Sequence, residues 1–305
     1  MKRILRDLLR SVPRLNQLLF LRGAFTGHFY SPIPSVKEIR EHEDTIFRIP
    51  EKLAGIDMHE EEQLRLVEVF AREYYKDHPF TDERKEGLTY YFNNEAFRYS
   101  DGLMLHFMLR HFRPRRIVEV GSGFSSCVTL DTNRLFLNNT VECTFIDPYS
   151  NVLRTLRQGK VDGLNIIAKR VQEVPMSLFT ALDDGDFLFI DSSHVSKVGS
   201  DVNHILFNIL PLLRPGVWVH FHDVFYPFEY PEEWIASGRS WTEAYLLRAF
   251  LEFNTAFDIQ LFPNYLIRFH ENFFRDHLPP CLKDPGGSIW LRRRRDVSPE
   301  MVKRT

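Results

Sequence analysis

Short apolar runs recur along the second part of the chain, at Ile117–Val120, Cys143–Ile146, Leu164–Ala168, Phe187–Ile190, Val217–Phe221, Phe257–Phe262 and Ser288–Arg292. They are rich in β-branched and aromatic residues, the composition of strands buried in a parallel sheet. Between them lie stretches of helical character at Cys127–Leu135, Ile205–Leu213 and Trp241–Phe250. Strand alternating with helix predicts an α/β fold, a Rossmann-like, seven-stranded doubly wound sheet.

Upstream the pattern is helical. Leu64, Val67, Phe70 and Ala71 share one face of a helix through Gln63–Tyr75, and Leu103, Leu105, Phe107, Met108 and Leu109 fill another that Pro114 stops. At the start of the chain, Ile4, Leu5, Leu8, Leu9 and Val12 fall at helical spacing, with Lys2, Arg3, Arg6 and Arg10 mostly opposite. Such a helix docks on the protein's own core or on a partner subunit, so a homo-oligomer is open, and residues 1–22 contacting a membrane surface is the sharper alternative. Arg6, Asp7, Arg10 and Arg14 interrupt any signal-peptide core, and no run approaches the roughly 18 apolar residues of a membrane span. The expected location is cytoplasmic, with a membrane-peripheral variant. His28–Ser35 is an aromatic loop stiffened by Pro32 and Pro34, too apolar for a plain linker. Residues 1–86 therefore read as an N-terminal helical cap, 87–295 as the main domain, and 296–305 as a frayed tail.

Composition narrows the function. With 44% hydrophobic residues and 27 Phe among 305 residues, a large core can be buried. A formal net charge of −2 argues against a nucleic-acid binder working by bulk charge. Cys127, Cys143 and Cys281 are odd in number and unpatterned, which suggests a reducing compartment without a disulfide or zinc framework.

The first strand runs into Gly121-Ser122-Gly123, where glycine permits a tight turn and close backbone approach to a ligand. A dinucleotide fingerprint would need a further glycine where Ser126 stands. The second strand ends in Asp147, an acid placed to accept both ribose hydroxyls of a nucleoside. In these features, and in Glu119-Val120-Gly121-Ser122-Gly123 and Leu213-Arg214-Pro215-Gly216, the stretch Leu103–Arg293 resembles the class I S-adenosylmethionine (SAM)-dependent methyltransferases. The resemblance implies SAM as cofactor, held by Glu119, Gly121, Ser122, Gly123, Asp147 and Asp191, with Gln172 and Glu173 where family members touch the adenine.

Strand ends carry the candidate chemistry. The fourth strand ends in Asp191-Ser192-Ser193-His194 and the fifth in His220-Phe221-His222-Asp223. Neighbouring strands would bring Asp191, His194, His222 and Asp223 to one rim, as catalytic residues. The arrangement is similar to that of the catechol and caffeoyl-CoA type O-methyltransferases, which implies Asp191, His222 and Asp223 as divalent-ion ligands and His194 at the position of their lysine base. His222 and Asp223 depart from the Asp and Asn of that group, so a metal-free site with His194 or His222 as base is the simpler reading. Tyr226, Tyr230 and Trp234, on a loop stiffened by Pro227 and Pro231, are expected with Tyr30 to wall a pocket for a ring-shaped acceptor. DSSHVSKVGSD with HFHDVFYPFEYP also resembles a bacterial group of largely uncharacterised methyltransferase-like proteins. Taken together these features predict a SAM-dependent methyltransferase acting on oxygen of a small molecule or glycan. The alternatives are a metal-dependent O-methyltransferase and a non-catalytic SAM- or nucleoside-binding scaffold.

Overall fold

A computed structural model describes residues 27–295. The basic helix expected over residues 1–22 and the tail expected at 296–305 lie outside them. Seven strands form one sheet: β1 (Arg116–Val120), β2 (Glu142–Ile146), β3 (Asn165–Ile167), β4 (Phe187–Ile190), β5 (Trp218–His222), β6 (Phe257–Leu261) and β7 (Ser288–Arg293), in the order β3-β2-β1-β4-β5-β7-β6. The pairings from β3 through β5 are parallel, and β7 runs antiparallel to both β5 and β6. Every expected strand is present within a residue or two of its expected ends. β4 is buried along its whole length, as a central strand covered on both faces must be.

The helix Phe124–Phe136 packs against the almost wholly buried helix Tyr99–Phe112. From β1 the chain winds one way to β2 and β3 and the other way to β4 and β5. That reversal opens a crevice beyond the carboxyl ends of β1 and β4. Two backbone hydrogen bonds fix its floor: Gly121 N–H to the Ile146 carbonyl at 2.9 Å and Asp191 N–H to the Val120 carbonyl at 2.8 Å.

Two expectations need correction. The chain divides at Pro50, not at residue 86: described residues up to Pro50 with Tyr230–Ser240 form one unit, and Glu51–Glu229 with the chain from Trp241 form the other. The reason is the helix Glu60–Glu73, which is tied to the sheet's β6 edge. The Gln63 amide accepts from Phe262 N–H at 2.6 Å and donates to the Met58 carbonyl, while Glu60 accepts from Tyr265 at 2.9 Å and faces His270 at 2.5 Å. The single helix expected over Ile205–Leu213 is instead a helical turn Asp201–His204, a π-turn Ile205–Ile209 and a 3₁₀ turn Leu210–Leu212. Pro211 has no N–H for an α-helical ladder. Among the described residues no helix is long and apolar enough to cross a membrane.

Candidate active site

Gly121 turns the chain at φ +88°, and a Cβ there would lie 2.0 Å from the Asp191 carbonyl oxygen, so only glycine lets β1 and β4 meet this closely. The turn borders a cleft of about 630 Å³ lined by Ser122, Asp147, Tyr149, Gln172 and Asp191 among others. Asp147 is held ready: its carboxylate accepts from Ser122 Oγ at 2.6 Å and from Tyr149 N–H at 2.7 Å. A carboxylate so placed, beside a glycine turn open to close approach, fits the nucleoside of SAM. Gln172 reaches the cleft through a 3₁₀ turn, and its amide donates to the Gly199 carbonyl at 2.9 Å.

Three expected cofactor contacts are placed otherwise. Glu119 is 1% exposed beneath the turn, where one oxygen accepts from Ser125 and Ser126 Oγ at 2.6 and 2.8 Å and the other has no partner. It braces the turn from below rather than lining the cleft. Gly123 is the N-cap of the following helix, its N–H bonded to Ser126 Oγ at 3.1 Å, and lines no part of the cleft. Glu173 is paired with Arg170 at 2.5 Å and also lies outside the lining.

Burial pushes the Glu119 carboxyl up to about 8, from an ordinary 4.5, despite the two serine hydroxyls. The folded chain thus keeps a proton that the unfolded chain loses. This group's contribution to stability is complete below pH 4.5 and is lost as pH rises through about 8, at up to about 1.4 kcal/mol per pH unit. Glu119→Gln cannot titrate, so its melting temperature should fall less than the wild type's between pH 5 and 8.5. Parallel melting curves across that range would contradict the assignment.

Beyond β4 and β5 the strand-end residues do converge. Asp191 Oδ1 lies 3.3 Å from His194 Nε2 and 3.5 Å from His222 Nδ1, and Asp223 Oδ2 lies 3.4 and 3.6 Å from the same atoms. His194 and Asp223 both adopt φ +59°, a left-handed conformation that non-glycine residues hold only when their surroundings enforce it. Two further buried acids, which sequence reasoning missed, complete the cluster. Glu243 Oε2 is 2.9 Å from His194 Nδ1, and Asp101 Oδ2 is 3.4 Å from His222 Nε2. The available signal was an acid in a run otherwise fit for burial, Asp101 ahead of Gly102-Leu103-Met104-Leu105.

The charges follow from this alternation of acid and imidazole. Burial alone would lower His194, but hydrogen bonds to Asp191 and Glu243 outweigh it and push the ring up to about 10. His222 is likewise raised well above its ordinary value, burial being overcome by Asp223 and Asp191. Asp191 is lowered, against its burial, by His222 and His194, while burial raises Asp223. Both His194 nitrogens therefore face carboxylates, a surround that favours the imidazolium. Three acids around the ring weigh against the neutral base expected of His194. The acids facing His222 favour its charged form in the same way. Donor atoms of Asp191, His194 and Asp223 lie within 4.8 Å of one another, so His194 rather than His222 joins the set that could hold a divalent ion.

The residues expected to form an aromatic wall after β5 are divided between the two units. Tyr226 is buried against Phe262, Tyr265 and Phe269, with its ring 5.0 Å from that of Tyr265, an aromatic core rather than a pocket face. Tyr30, Tyr230 and Trp234 belong to the smaller unit. There Tyr30 is 77% exposed beside Phe29, and the Trp234 ring lies under the Arg239 guanidinium at 4.1 Å.

Residues 118–224 match the family of methyltransferase domains. An uncharacterised protein of Archaeoglobus fulgidus is 41% identical over 164 residues, which span 52% of this chain and 73% of that protein. Among solved structures, the chain is similar to a Podospora anserina methyltransferase bound to S-adenosylhomocysteine (SAH), with TM-score 0.41, 16% identity, and coverage of 87% of this chain and 99% of that one. It is also similar to a Haemonchus contortus phosphoethanolamine N-methyltransferase in complex with SAM, with TM-score 0.35, 11% identity, and coverage of 80% and 60%. The chain belongs to the same family as the Archaeoglobus protein, and its residues 118–224 match a methyltransferase domain on a seven-stranded Rossmann-like sheet.

Proposed function

We propose that this chain is a SAM-dependent methyltransferase acting on an oxygen of a small-molecule or glycan acceptor, with Asp223 taking the proton of the acceptor hydroxyl. The observation that carries this reading is the double position of Asp191, which lines the cofactor cleft and also faces both imidazoles of the cluster. SAM, when bound, supplies a methyl group on a sulfonium, an electrophile that needs an aligned nucleophile and little else.

The residues divide the work by accessibility. Side chains of Asp191 and Asp223 are 33% and 16% exposed, that of His194 only 7%, so carboxylate oxygens are what an acceptor meets. Asp223, raised by its burial, is the stronger base of the two acids. His194 and His222 fix both carboxylates, and their charge stabilises the oxyanion that forms as the proton leaves. Ser122 and Asp147 hold the nucleoside.

A second reading rests on the donor set. Asp191, His194 and Asp223 could hold a divalent ion, with Glu243 orienting the His194 ring through Nδ1, as buried carboxylates do for metal-bound imidazoles. The ion would lower the pKa of the acceptor hydroxyl and would replace the His194 proton as counter-charge. Transfer of labelled methyl from SAM to a panel of hydroxyl compounds, with and without EDTA, distinguishes the two. Methylation confined to amines or carbon would refute oxygen as the target.

Cofactor binding has its own expected result. Asp147→Ala should weaken SAH binding by about 1–3 kcal/mol in calorimetry, through loss of charge-assisted hydrogen bonds to the ribose. Unchanged affinity would remove Asp147 from the cofactor site.

A further inference from the structure

A second cleft, of about 490 Å³, lies away from the reaction site, between the loop 84–89, the later turns of the helix Phe124–Phe136 and the segment 156–160. It shares no lining residue with the cofactor cleft. Five cations, Arg84, Lys85, Arg134, Arg157 and Lys160, face it against the carboxylates of Glu86 and Asp131.

The acids do not neutralise this surplus. Asp131 is 2% exposed and already engaged, accepting from the N–H groups of Thr89 and Tyr90 at 2.7 and 2.9 Å and from Arg134 at 3.3 Å. Arg134 also donates to the Gly87 carbonyl at 2.5 Å, so acid and base together hold the loop as one wall. Arg157 donates to the Lys160 carbonyl at 3.0 Å, which shapes the opposite wall, and the Arg84 guanidinium lies 5.2 Å from the Tyr91 ring centre. Among the described residues, Arg84, Lys85, Arg157 and Lys160 form no ion pair with a carboxylate. In a chain of net charge −2, four unpaired cations around one concavity are a local reversal of sign. Four unpaired cations around a cleft of ligand size, with Arg157 fixed by a backbone contact, match a phosphate or diphosphate group, which guanidinium and ammonium donors bind through charge-assisted hydrogen bonds.

We propose that this cleft is a binding site for a phosphorylated small molecule, independent of the methyl acceptor's identity and of the cofactor. Pyrophosphate is the probe, titrated into the full chain by calorimetry at constant ionic strength, since surface charges are screened within about 10 Å at 0.1 M salt. Wild type should bind it saturably, and Lys85→Gln/Lys160→Gln, in which both exposed side chains lose only their charge, should bind at least tenfold more weakly. SAH should bind both proteins equally, whether or not pyrophosphate is present. The proposal is overturned if wild type shows no saturable binding, if the double variant binds as well as wild type, or if SAH displaces the probe. In the last case the anion sits in the cofactor cleft. A fold defect in the double variant would appear as lost SAH binding, and the single variant Arg84→Gln, expected to weaken pyrophosphate severalfold, then decides.

Discussion

Gly121→Val should abolish SAH binding and destabilise the fold by about 2–5 kcal/mol, the sum expected from left-handed strain and overpacking. Two effects add. A β-branched side chain at φ +88° occupies a region that L-residues avoid at about 1–2 kcal/mol, and its Cβ would fall 2.0 Å from the Asp191 carbonyl oxygen. Neither strand end can retreat, because the backbone bonds from Gly121 to Ile146 and from Asp191 to Val120 tie both to their neighbours. The clash is thus with the protein itself, before any ligand arrives. Ser122→Ala separates the two consequences: it removes the hydroxyl that positions Asp147 and should weaken SAH binding without lowering the melting temperature. A Gly121→Val protein that melts with the wild type and binds SAH equally would show that the turn is not the cofactor's cradle.

The sheet was legible because each strand is a short apolar run closed by turn residues, and the glycine turn and Asp147 sit at strand ends where period and composition change together. The insertion of β7 between β5 and β6 has no local signature, since antiparallel pairing is decided by which edge remains open. Asp101 and Glu243 escaped notice for a related reason. Each stands in the first turn of a helix, where an acid ordinarily answers the helix dipole from solvent, and only tertiary packing shows these two to be buried against histidines. That same packing decides the charge of His194, which no unperturbed pKa could have foretold. Tyr226 misled because an aromatic residue beside proline has the same sequence whether its ring faces a ligand or a core.

The pH dependence and the variants of the cluster should separate three mechanisms. A neutral histidine base would make kcat/KM rise through about pH 6.5, the ordinary value for that side chain. With His194 held up to about 10 and His222 raised as well, no such rise should come from either ring between pH 6 and 9. Asp223→Asn keeps the shape and removes the base, so kcat should drop by roughly 10²–10⁴ while SAH affinity stays within a factor of two or so. His194→Ala should be worse in a different way. It leaves Glu243, 1% exposed, with no cation beside it, and breaking such a buried pair costs about 3–5 kcal/mol of stability. Activity and melting temperature should therefore fall together in His194→Ala but not in Asp223→Asn. If a divalent ion does the work, EDTA should abolish turnover, a divalent salt should restore it, and Asp191→Asn, His194→Gln and Asp223→Asn should each lose that rescue. EDTA-resistant turnover that survives Asp223→Asn would defeat both the carboxylate base and the metal, and alignment in the cleft would be the remaining source of the rate.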